Sequence, residues 1–259
     1  MRFVSGLFLF CLGFCSLGAQ GVKEVPELGK PFQASGVVGA FVLFDREADT
    51  MFVWNEVRAR ERFVPASTFK IANSLIGLDL AVVRSVDEVL PYGGKTQRLK
   101  AWEKDMNLRD AMKASSVPIY QELARRIGLE RMRESVKKLG YGNAEIGEVV
   151  DRFWLDGPLS ISAMEQTKFI SRLFDAKLPV SGEAVQAVKE ITALEKTDTY
   201  ALHGKTGWHF EGKLGWWVGW IERDGKVFPF ALNIDMPAEE DAAKRIPLAR
   251  ECLRLLGKL

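Results

Sequence analysis

The chain has 259 residues, 47% of them hydrophobic, and a formal net charge of +2 at pH 7. This length and composition allow a full hydrophobic core in one or two domains, and the near balance of charge gives no reason to expect a nucleic-acid partner. The densest basic stretch, residues 125–138, has interspersed glutamates and is typical of a solvated helix face.

The first residues have the pattern of a secretory signal peptide. A short basic start precedes an apolar run over residues 3–17, and small residues suited to cleavage follow near Gly18 and Ala19. The apolar run is short for a membrane span. We therefore predict a cleaved signal peptide over residues 1–19 and a periplasmic mature protein over residues 20–259.

Cleavage at that position removes Cys11 and Cys15 and leaves Cys252 as the single cysteine. An exported protein with one cysteine forms no intrachain disulfide, so its stability depends on packing. No other stretch is long and apolar enough to span a bilayer, and we therefore expect no membrane contact in the mature protein.

Hydrophobic patterning predicts strands near both ends of the chain and helices between them. Runs of β-branched and aromatic residues predict strands over residues 36–45, 51–54, 199–208, 214–222 and 227–234. Apolar periodicity predicts helices over residues 67–83, 108–113, 118–127, 129–139, 162–174, 182–194 and 242–256. The succession of strands, helices and strands indicates an α+β protein.

The strands at the two ends are expected to form one antiparallel sheet flanked by helices. In this interpretation the mature chain is a single domain whose α/β part comprises residues 20–64 and 195–259. An all-helical subdomain over roughly residues 65–194 is inserted between these two parts.

The segment 61–83 carries the first indication of chemistry. Ser67 and Lys70 lie one helical step apart at the start of a nearly all-apolar helix, so their side chains leave the same face. Burial and a helix N-terminus both favour the neutral form of an amine. A neutral amine beside a hydroxyl is a base beside a nucleophile. The alternative is a serine that caps the helix, with a lysine whose amine reaches solvent.

The same Ser-x-x-Lys spacing recurs at Ser135 and Lys138, so the spacing alone decides little. That second copy lies in an amphipathic and highly charged helix. We expect its lysine to remain in water and protonated.

A third group of polar residues, Lys205, Thr206 and Gly207, lies within a predicted strand. The glycine would let another molecule approach the strand backbone closely, while the lysine supplies positive charge and the threonine a hydroxyl. The alternative is an edge strand protected from association by its lysine. The sequence does not favour a phosphate-binding loop, because Thr199 stands where that motif needs glycine.

In combination these motifs resemble those of the serine β-lactamases and penicillin-binding proteins. Ser67-x-x-Lys70 is followed by Ser115-x-Val117 and then by Lys205-Thr206-Gly207. Three further segments, Tyr-Gly-Asn at 141–143, Phe-Trp-Leu-Asp-Gly at 153–157 and Leu-Gly-Trp-Trp-Val-Gly-Trp at 214–220, are similar to class D β-lactamases, the oxacillinases. The resemblance covers nearly the whole mature chain.

The resemblance implies a role for each catalytic residue. Ser67 would be the acylated nucleophile, and Lys70, carboxylated by carbon dioxide or bicarbonate, would be the general base. Ser115 would relay a proton to the lactam nitrogen with the help of Lys205. The backbone N–H groups of Ser67 and Trp208 would form the oxyanion hole.

The resemblance also implies a set of residues around the substrate. They are Trp102, Val117, Trp154, Leu155, Thr206, Gly207, Trp208 and Arg245. Trp154 would donate its indole N–H to the carboxylated lysine, although the residue alone indicates a core aromatic. Arg245 rather than Arg250 would bind the substrate carboxylate near Thr206, and an exposed arginine on the terminal helix is the alternative.

Tyr141 and Asn143 are interpreted as structural residues that brace the loop near the site. The substrate profile cannot be read from the sequence. In this family carbapenem activity depends on the loop between the strand of Lys205 and the next strand, here residues 209–213, and on rim residues such as Trp102.

The implied function is hydrolysis of the β-lactam amide of oxacillin-type penicillins, which confers antibiotic resistance, by a monomer or homodimer without metal or organic cofactor. Two related alternatives remain, a β-lactam sensor that is acylated without turnover and a D,D-peptidase, which lacks the Trp154 loop pattern. A Ser-His-Asp hydrolase has His203 and His209 available but no G-x-S-x-G elbow. A zinc enzyme needs a larger group of histidines and cysteines.

Overall fold

The computed structural model describes residues 21–175 and 177–259. The predicted signal peptide, with Cys11 and Cys15, lies outside these residues. None of the helices in the described ranges is both long enough and apolar enough to cross a membrane.

A seven-stranded sheet joins the two ends of the described chain, as the sequence predicted. Its strands are β1 Gly21–Glu24, β2 Gly39–Asp45, β3 Thr50–Trp54, β4 Ala193–Lys196, β5 Tyr200–His209, β6 Leu214–Arg223 and β7 Lys226–Asp235. They are ordered β1-β3-β2-β7-β6-β5-β4. Neighbours are antiparallel except for β1 and β3, which are parallel. The predicted sheet did not include β1 or β4, because both are short and largely exposed and carry no apolar pattern.

The helices of the described residues are α1 Gly29–Ser35, α2 Glu56–Arg60, α3 Lys70–Asp79, α4 Leu108–Ala114, α5 Val117–Ile127, α6 Leu129–Leu139, α7 Ala163–Phe174, α8 Gly182–Ile191 and α9 Arg245–Leu255. Short 3-10 helices cover Pro26–Leu28, Ala66–Phe69, Lys100–Trp102 and Glu239–Lys244. The sequence did not predict α1 and α2, which are too short for a clear periodic pattern. The predicted terminal helix over 242–256 is a 3-10 segment followed by α9.

Both faces of the sheet are buried, and they pack against different helices. Along β6 the side chains alternate, so that Trp216, Val218 and Trp220 face one core while Trp217 faces the other. The first core contains the apolar faces of α3 to α8. The second core contains α1 and α9. This double burial explains why β6 carries no polar side chain from Leu214 to Ile221 instead of alternating apolar and polar residues.

α3 is the central helix of the first core. Every residue from Lys70 to Gly77 is buried, because α5, α6 and α8 surround the helix. α7, in contrast, lies against β7 and β2. The predicted helical subdomain over residues 65–194 stays a prediction. Within this range α7 packs on the sheet, and β4 begins at Ala193. α3 places its first residue, Lys70, near Lys205 of β5.

Candidate active site

Ser67 and Lys70 contact each other as the sequence predicted. The Lys70 Nζ atom donates a hydrogen bond to Ser67 Oγ at 2.8 Å. Lys70 is 0% exposed, so its amine does not reach solvent, and the interpretation as a capping serine with a solvated lysine is wrong. Ser67 also does not begin the α-helix as predicted. It lies inside the 3-10 helix Ala66–Phe69, and α3 begins at Lys70.

The surroundings of Lys70 favour its neutral form. Burial lowers the pKa of Lys70 well below its usual value, and the nearby charge of Lys205 lowers it further. The amine lies 5.1 Å from the centroid of the Tyr120 ring. No carboxylate among the described residues forms an ion pair with it. By contrast, Lys138 of the second Ser-x-x-Lys copy is exposed beside Glu134, as expected.

Two left-handed residues shape the backbone around the serines. Ala66, directly before Ser67, has φ = 47°, and Ser115 has φ = 54°. Such angles are unfavourable for residues with a Cβ and persist where the surrounding structure enforces them. Ser115 ends α4, where its amide bonds the carbonyl of Met112. Neither angle could be predicted from the sequence, because neither position is glycine or asparagine.

The absence of a side chain at Gly207 allows close packing, but the atoms that pack against it belong to this chain and not to another molecule. A Cβ on Gly207 would lie 3.0 Å from the carbonyl oxygen of Pro65 and 3.1 Å from a methyl carbon of Thr68. From Gly204 onward β4 no longer pairs with β5, so this edge of β5 faces the 3-10 helix that carries Ser67. The approach of another molecule to this strand backbone therefore stays a prediction.

Lys205 does not protect an exposed edge, since it is buried with 5% exposure. Its Nζ atom donates to the carbonyl oxygen of Thr206 at 3.0 Å and lies 3.4 Å from the hydroxyl of the same residue. Burial and the charge of Arg245 lower the pKa of Lys205 to about 7. The positive charge of Lys205 is therefore only partial at neutral pH.

The structure brings Arg245, and not Arg250, to the site. Arg245 donates to the carbonyl oxygen of Gly207 at 2.6 Å and to that of Ala242 at 2.8 Å. Burial lowers its pKa to about 10, so the guanidinium remains charged. Arg250 instead pairs with Glu195 at 2.8 Å.

A cavity of about 520 Å³ opens in front of Ser67. Most of the predicted site residues line it, namely Ser67, Trp102, Ser115, Val117, Leu155, Thr206, Gly207, Trp208 and Arg245. Lys70, Lys205 and Trp154 are buried in the protein behind this lining. The cavity thus combines a hydroxyl nucleophile, apolar walls and a buried positive edge.

Trp154 is fully buried and stacks on Phe69, with the ring centroids 5.6 Å apart. Its indole N–H has no hydrogen-bond partner among the residues that the structure describes. A buried donor without an acceptor is costly. Trp154 lies against Phe69, which directly precedes Lys70. Its indole N–H could therefore donate to an additional hydrogen-bond acceptor carried by Lys70.

Comparisons with known proteins identify the family. The chain matches the penicillin binding protein transpeptidase domain over residues 39–254. It is 44% identical to Beta-lactamase OXA-48 of Klebsiella pneumoniae over 218 residues, 83% of this chain and 82% of that protein. It is 37% identical to Beta-lactamase OXA-10 of Pseudomonas aeruginosa over 96% of this chain and 93% of that protein. The solved structure of FUS-1 (OXA-85), a class D β-lactamase from Fusobacterium nucleatum subsp. polymorphum, has a TM-score of 0.87 and 45% identity, covering 92% of this chain and 100% of that chain.

This chain belongs to the class D β-lactamases. The family that its motifs resemble and the expected fold class are confirmed, and so is its class of enzyme, a β-lactamase. The parallel pairing of β1 with β3 is the one detail in which the described sheet departs from the expected antiparallel arrangement.

Behind Ser67 this class D β-lactamase has a buried hydrogen-bond chain that sequence reasoning missed. The Tyr141 hydroxyl donates to Gln166 at 3.3 Å, and the Gln166 amide donates to the Thr68 hydroxyl at 2.9 Å. Thr68 in turn donates to the carbonyl oxygen of Pro65 at 2.7 Å. This series of hydrogen bonds fixes the turn that presents Ser67. Gln166 gave no signal in the sequence because it lies on a distant helix.

Asn143 and Trp102 hold other parts of the site together. The Asn143 side chain donates to the carbonyl oxygen of Pro158 and accepts from the amide of Ser160, both at 3.0 Å. These contacts agree with the structural role expected of Asn143. The Trp102 indole donates to the carbonyl oxygen of Ala114 at 3.0 Å, which fixes the ring beside the cavity next to Ser115.

Proposed function

We propose that this class D β-lactamase hydrolyses the β-lactam amide of penicillins through an acyl-enzyme on Ser67. The observation that carries the proposal is the 2.8 Å contact between Ser67 Oγ and the buried amine of Lys70, whose pKa is far below its usual value. Only a neutral amine can accept the hydroxyl proton as the oxygen attacks. The cavity in front of Ser67 has room for a small molecule.

In acylation, Ser67 Oγ attacks the lactam carbonyl carbon, and the proton of the hydroxyl passes to the base at Lys70. The backbone N–H groups of Ser67 and Trp208 would stabilise the oxyanion. The carbon–nitrogen bond of the lactam then breaks, and Ser115, assisted by Lys205, would deliver a proton to the departing nitrogen. Water releases the penicilloate in the second half of the reaction and restores the Ser67 hydroxyl.

We propose further that Lys70 acts in its carboxylated form. Its neutral amine can take up carbon dioxide, and the carbamate would supply an anionic general base. A buried anion needs hydrogen-bond donors, and the unpartnered indole N–H of Trp154 and the hydroxyl of Ser67 are available. Val117 and Leu155 line the cavity, and their apolar side chains would limit access of water to the carbamate.

The buried positive groups support binding of an anionic substrate. A penicillin carboxylate beside Thr206 would meet the Arg245 guanidinium, and its charge would raise the pKa of Lys205 from about 7, so that Lys205 takes up a proton. The oxacillin-type substrate preference, the periplasmic location after loss of residues 1–19, and a monomeric or homodimeric state remain part of this proposal.

Replacing Arg245 with alanine is expected to raise KM for benzylpenicillin roughly 10- to 100-fold with little change in kcat, because a charged hydrogen-bond partner of the carboxylate is lost. Arg250→Ala is the matched control, since it removes an arginine of the same helix that pairs with Glu195. Melting temperatures should accompany the kinetics, because Arg245 also bonds Gly207. A larger KM effect from the Arg250 variant would show that the wrong arginine is assigned.

Steady-state hydrolysis of benzylpenicillin, oxacillin and a carbapenem, with and without bicarbonate, tests the proposed function. The proposal predicts many turnovers of the penicillins per enzyme molecule. A stable acyl-protein after one turnover would instead indicate the sensor alternative, and cleavage of a D-alanyl-D-alanine peptide without lactam turnover would indicate the peptidase.

A further inference from the structure

The rim of the cavity carries charged side chains that the proposed mechanism does not use. Arg98 pairs with Glu239 at 2.8 Å, and Arg152 pairs with Asp156. Both arginines of the rim therefore already have a carboxylate partner. Glu211, which also lines the cavity, makes no ion pair with any residue that the structure describes. At the rim, the negative charge of Glu211 is therefore not neutralised by an ion pair with a described residue.

The neighbours of Glu211 hold its loop between β5 and β6 in place. On one side, the Phe210 ring lies under the Arg98 guanidinium, 3.7 Å from the ring centroid. On the other side, the carbonyl oxygen of Lys213 accepts from the amide of Met236 at 2.7 Å. These contacts anchor the backbone on both sides of Glu211, whose exposed side chain lines the cavity at its rim.

The cavity therefore carries charges of opposite sign at different depths. The buried inner end has the guanidinium of Arg245 and the partly charged amine of Lys205. The rim has the unpaired carboxylate of Glu211. A molecule with a carboxylate at one end and an ammonium at the other is complementary to this arrangement, whereas a dicarboxylate would meet repulsion at the rim.

In a penicillin the carboxylate and the acyl side chain leave opposite sides of the fused rings. With the carboxylate at Arg245, the acyl side chain extends away from the inner end towards the rim. We propose that Glu211 is a specificity-determining residue, a role that rests on the proposed penicillin hydrolysis. It favours penicillins whose acyl side chain carries an ammonium and disfavours those whose side chain carries a carboxylate.

Three penicillins with the same fused rings test this proposal. Ampicillin has a side-chain ammonium, benzylpenicillin has no side-chain charge, and carbenicillin has a side-chain carboxylate. Glu211→Gln should lower the ratio of kcat/KM for ampicillin to that for carbenicillin by about 3- to 10-fold, as for one charge interaction at a partly solvated site. Glu211→Lys should lower the ratio further, and high salt should lower it for the unmodified enzyme. Values for benzylpenicillin serve as the reference.

Glu240→Gln is the matched control, because Glu240 is an exposed carboxylate in the 3-10 helix Glu239–Lys244 and is not among the cavity-lining residues. It should leave the ratio unchanged. The proposed role of Glu211 is wrong if both Glu211 variants leave the ampicillin-to-carbenicillin ratio unchanged, or if kcat/KM falls equally for all three penicillins. Either result would leave the proposed penicillin hydrolysis intact. Absence of turnover of all three penicillins by the unmodified enzyme would contradict the proposed function as well.

Discussion

Replacing Ser67 with alanine is expected to lower kcat/KM for benzylpenicillin by at least about 1,000-fold, because the hydroxyl that attacks the lactam is lost and the remaining groups cannot form an acyl-enzyme. The substitution should leave the fold intact, since Ser67 is only half-buried and its hydroxyl bonds no backbone group of the described chain. Circular dichroism and the melting temperature would verify this.

Ser135→Ala is the matched control for this loss. Ser135 has the same spacing to a lysine, but Lys138 is exposed and lies beside Glu134. We expect its activity to equal that of the unmodified enzyme. Peptide mass mapping after acid quenching during turnover should place the penicillin adduct on the peptide that contains Ser67. An adduct on the Ser135 peptide, or full activity of Ser67→Ala, would disprove the assignment.

Replacing Trp154 with phenylalanine is expected to make the enzyme far more dependent on bicarbonate. The ring can still stack on Phe69, but the indole N–H is lost. Loss of one hydrogen bond to a buried charged group costs about 1–3 kcal/mol, which corresponds to a roughly 5- to 150-fold higher half-saturating bicarbonate concentration. Activity as a function of bicarbonate concentration in degassed buffer measures this value directly.

Trp217→Phe provides a closely matched control. The indole N–H of Trp217 is also buried without a partner among the described residues, but it lies in the core on the other face of the sheet. Its replacement should leave the bicarbonate dependence unchanged. If the two variants respond alike to bicarbonate, Trp154 is a core aromatic and nothing more.

Acid should weaken activity in a way that bicarbonate reverses. Because the pKa of Lys70 is lowered in the folded protein, the amine stays neutral until the pH falls through that lowered value. Below it, protons compete with carbon dioxide for the amine, so more bicarbonate is needed for the same activity. The sign follows from burial, which disfavours the ammonium.

The longer strands and helices were predictable because their apolar patterns extend over many residues. β5, β6 and β7 were each placed to within one residue at either end, since their runs of apolar residues stop at polar turns. β1 and β4 were missed because pairing with a neighbouring strand, and not burial, makes them strands. No local pattern in a sequence reports such pairing.

The site was predictable from its motifs but not in its geometry. The spacing of Ser67 and Lys70 indicated their contact, whereas nothing in the local sequence indicated the positive φ of Ala66, which begins the 3-10 helix that packs against β5. The approach of Pro65 to Gly207 joins residues that are far apart in the chain. The same is true of Gln166 and Thr68. Such long-range contacts depend on the completed fold, and the sequence alone gives no sign of them.

The central claim is that the buried amine of Lys70 carries a carbamate that serves Ser67. Carbon-13 NMR of the protein in labelled bicarbonate tests it most directly. We expect one carbamate signal that is absent in Lys70→Ala, reduced in Trp154→Phe and unchanged in Trp217→Phe. If no such signal appears, and turnover at low pH is indifferent to bicarbonate, then Lys70 acts as a plain amine and the claim is wrong.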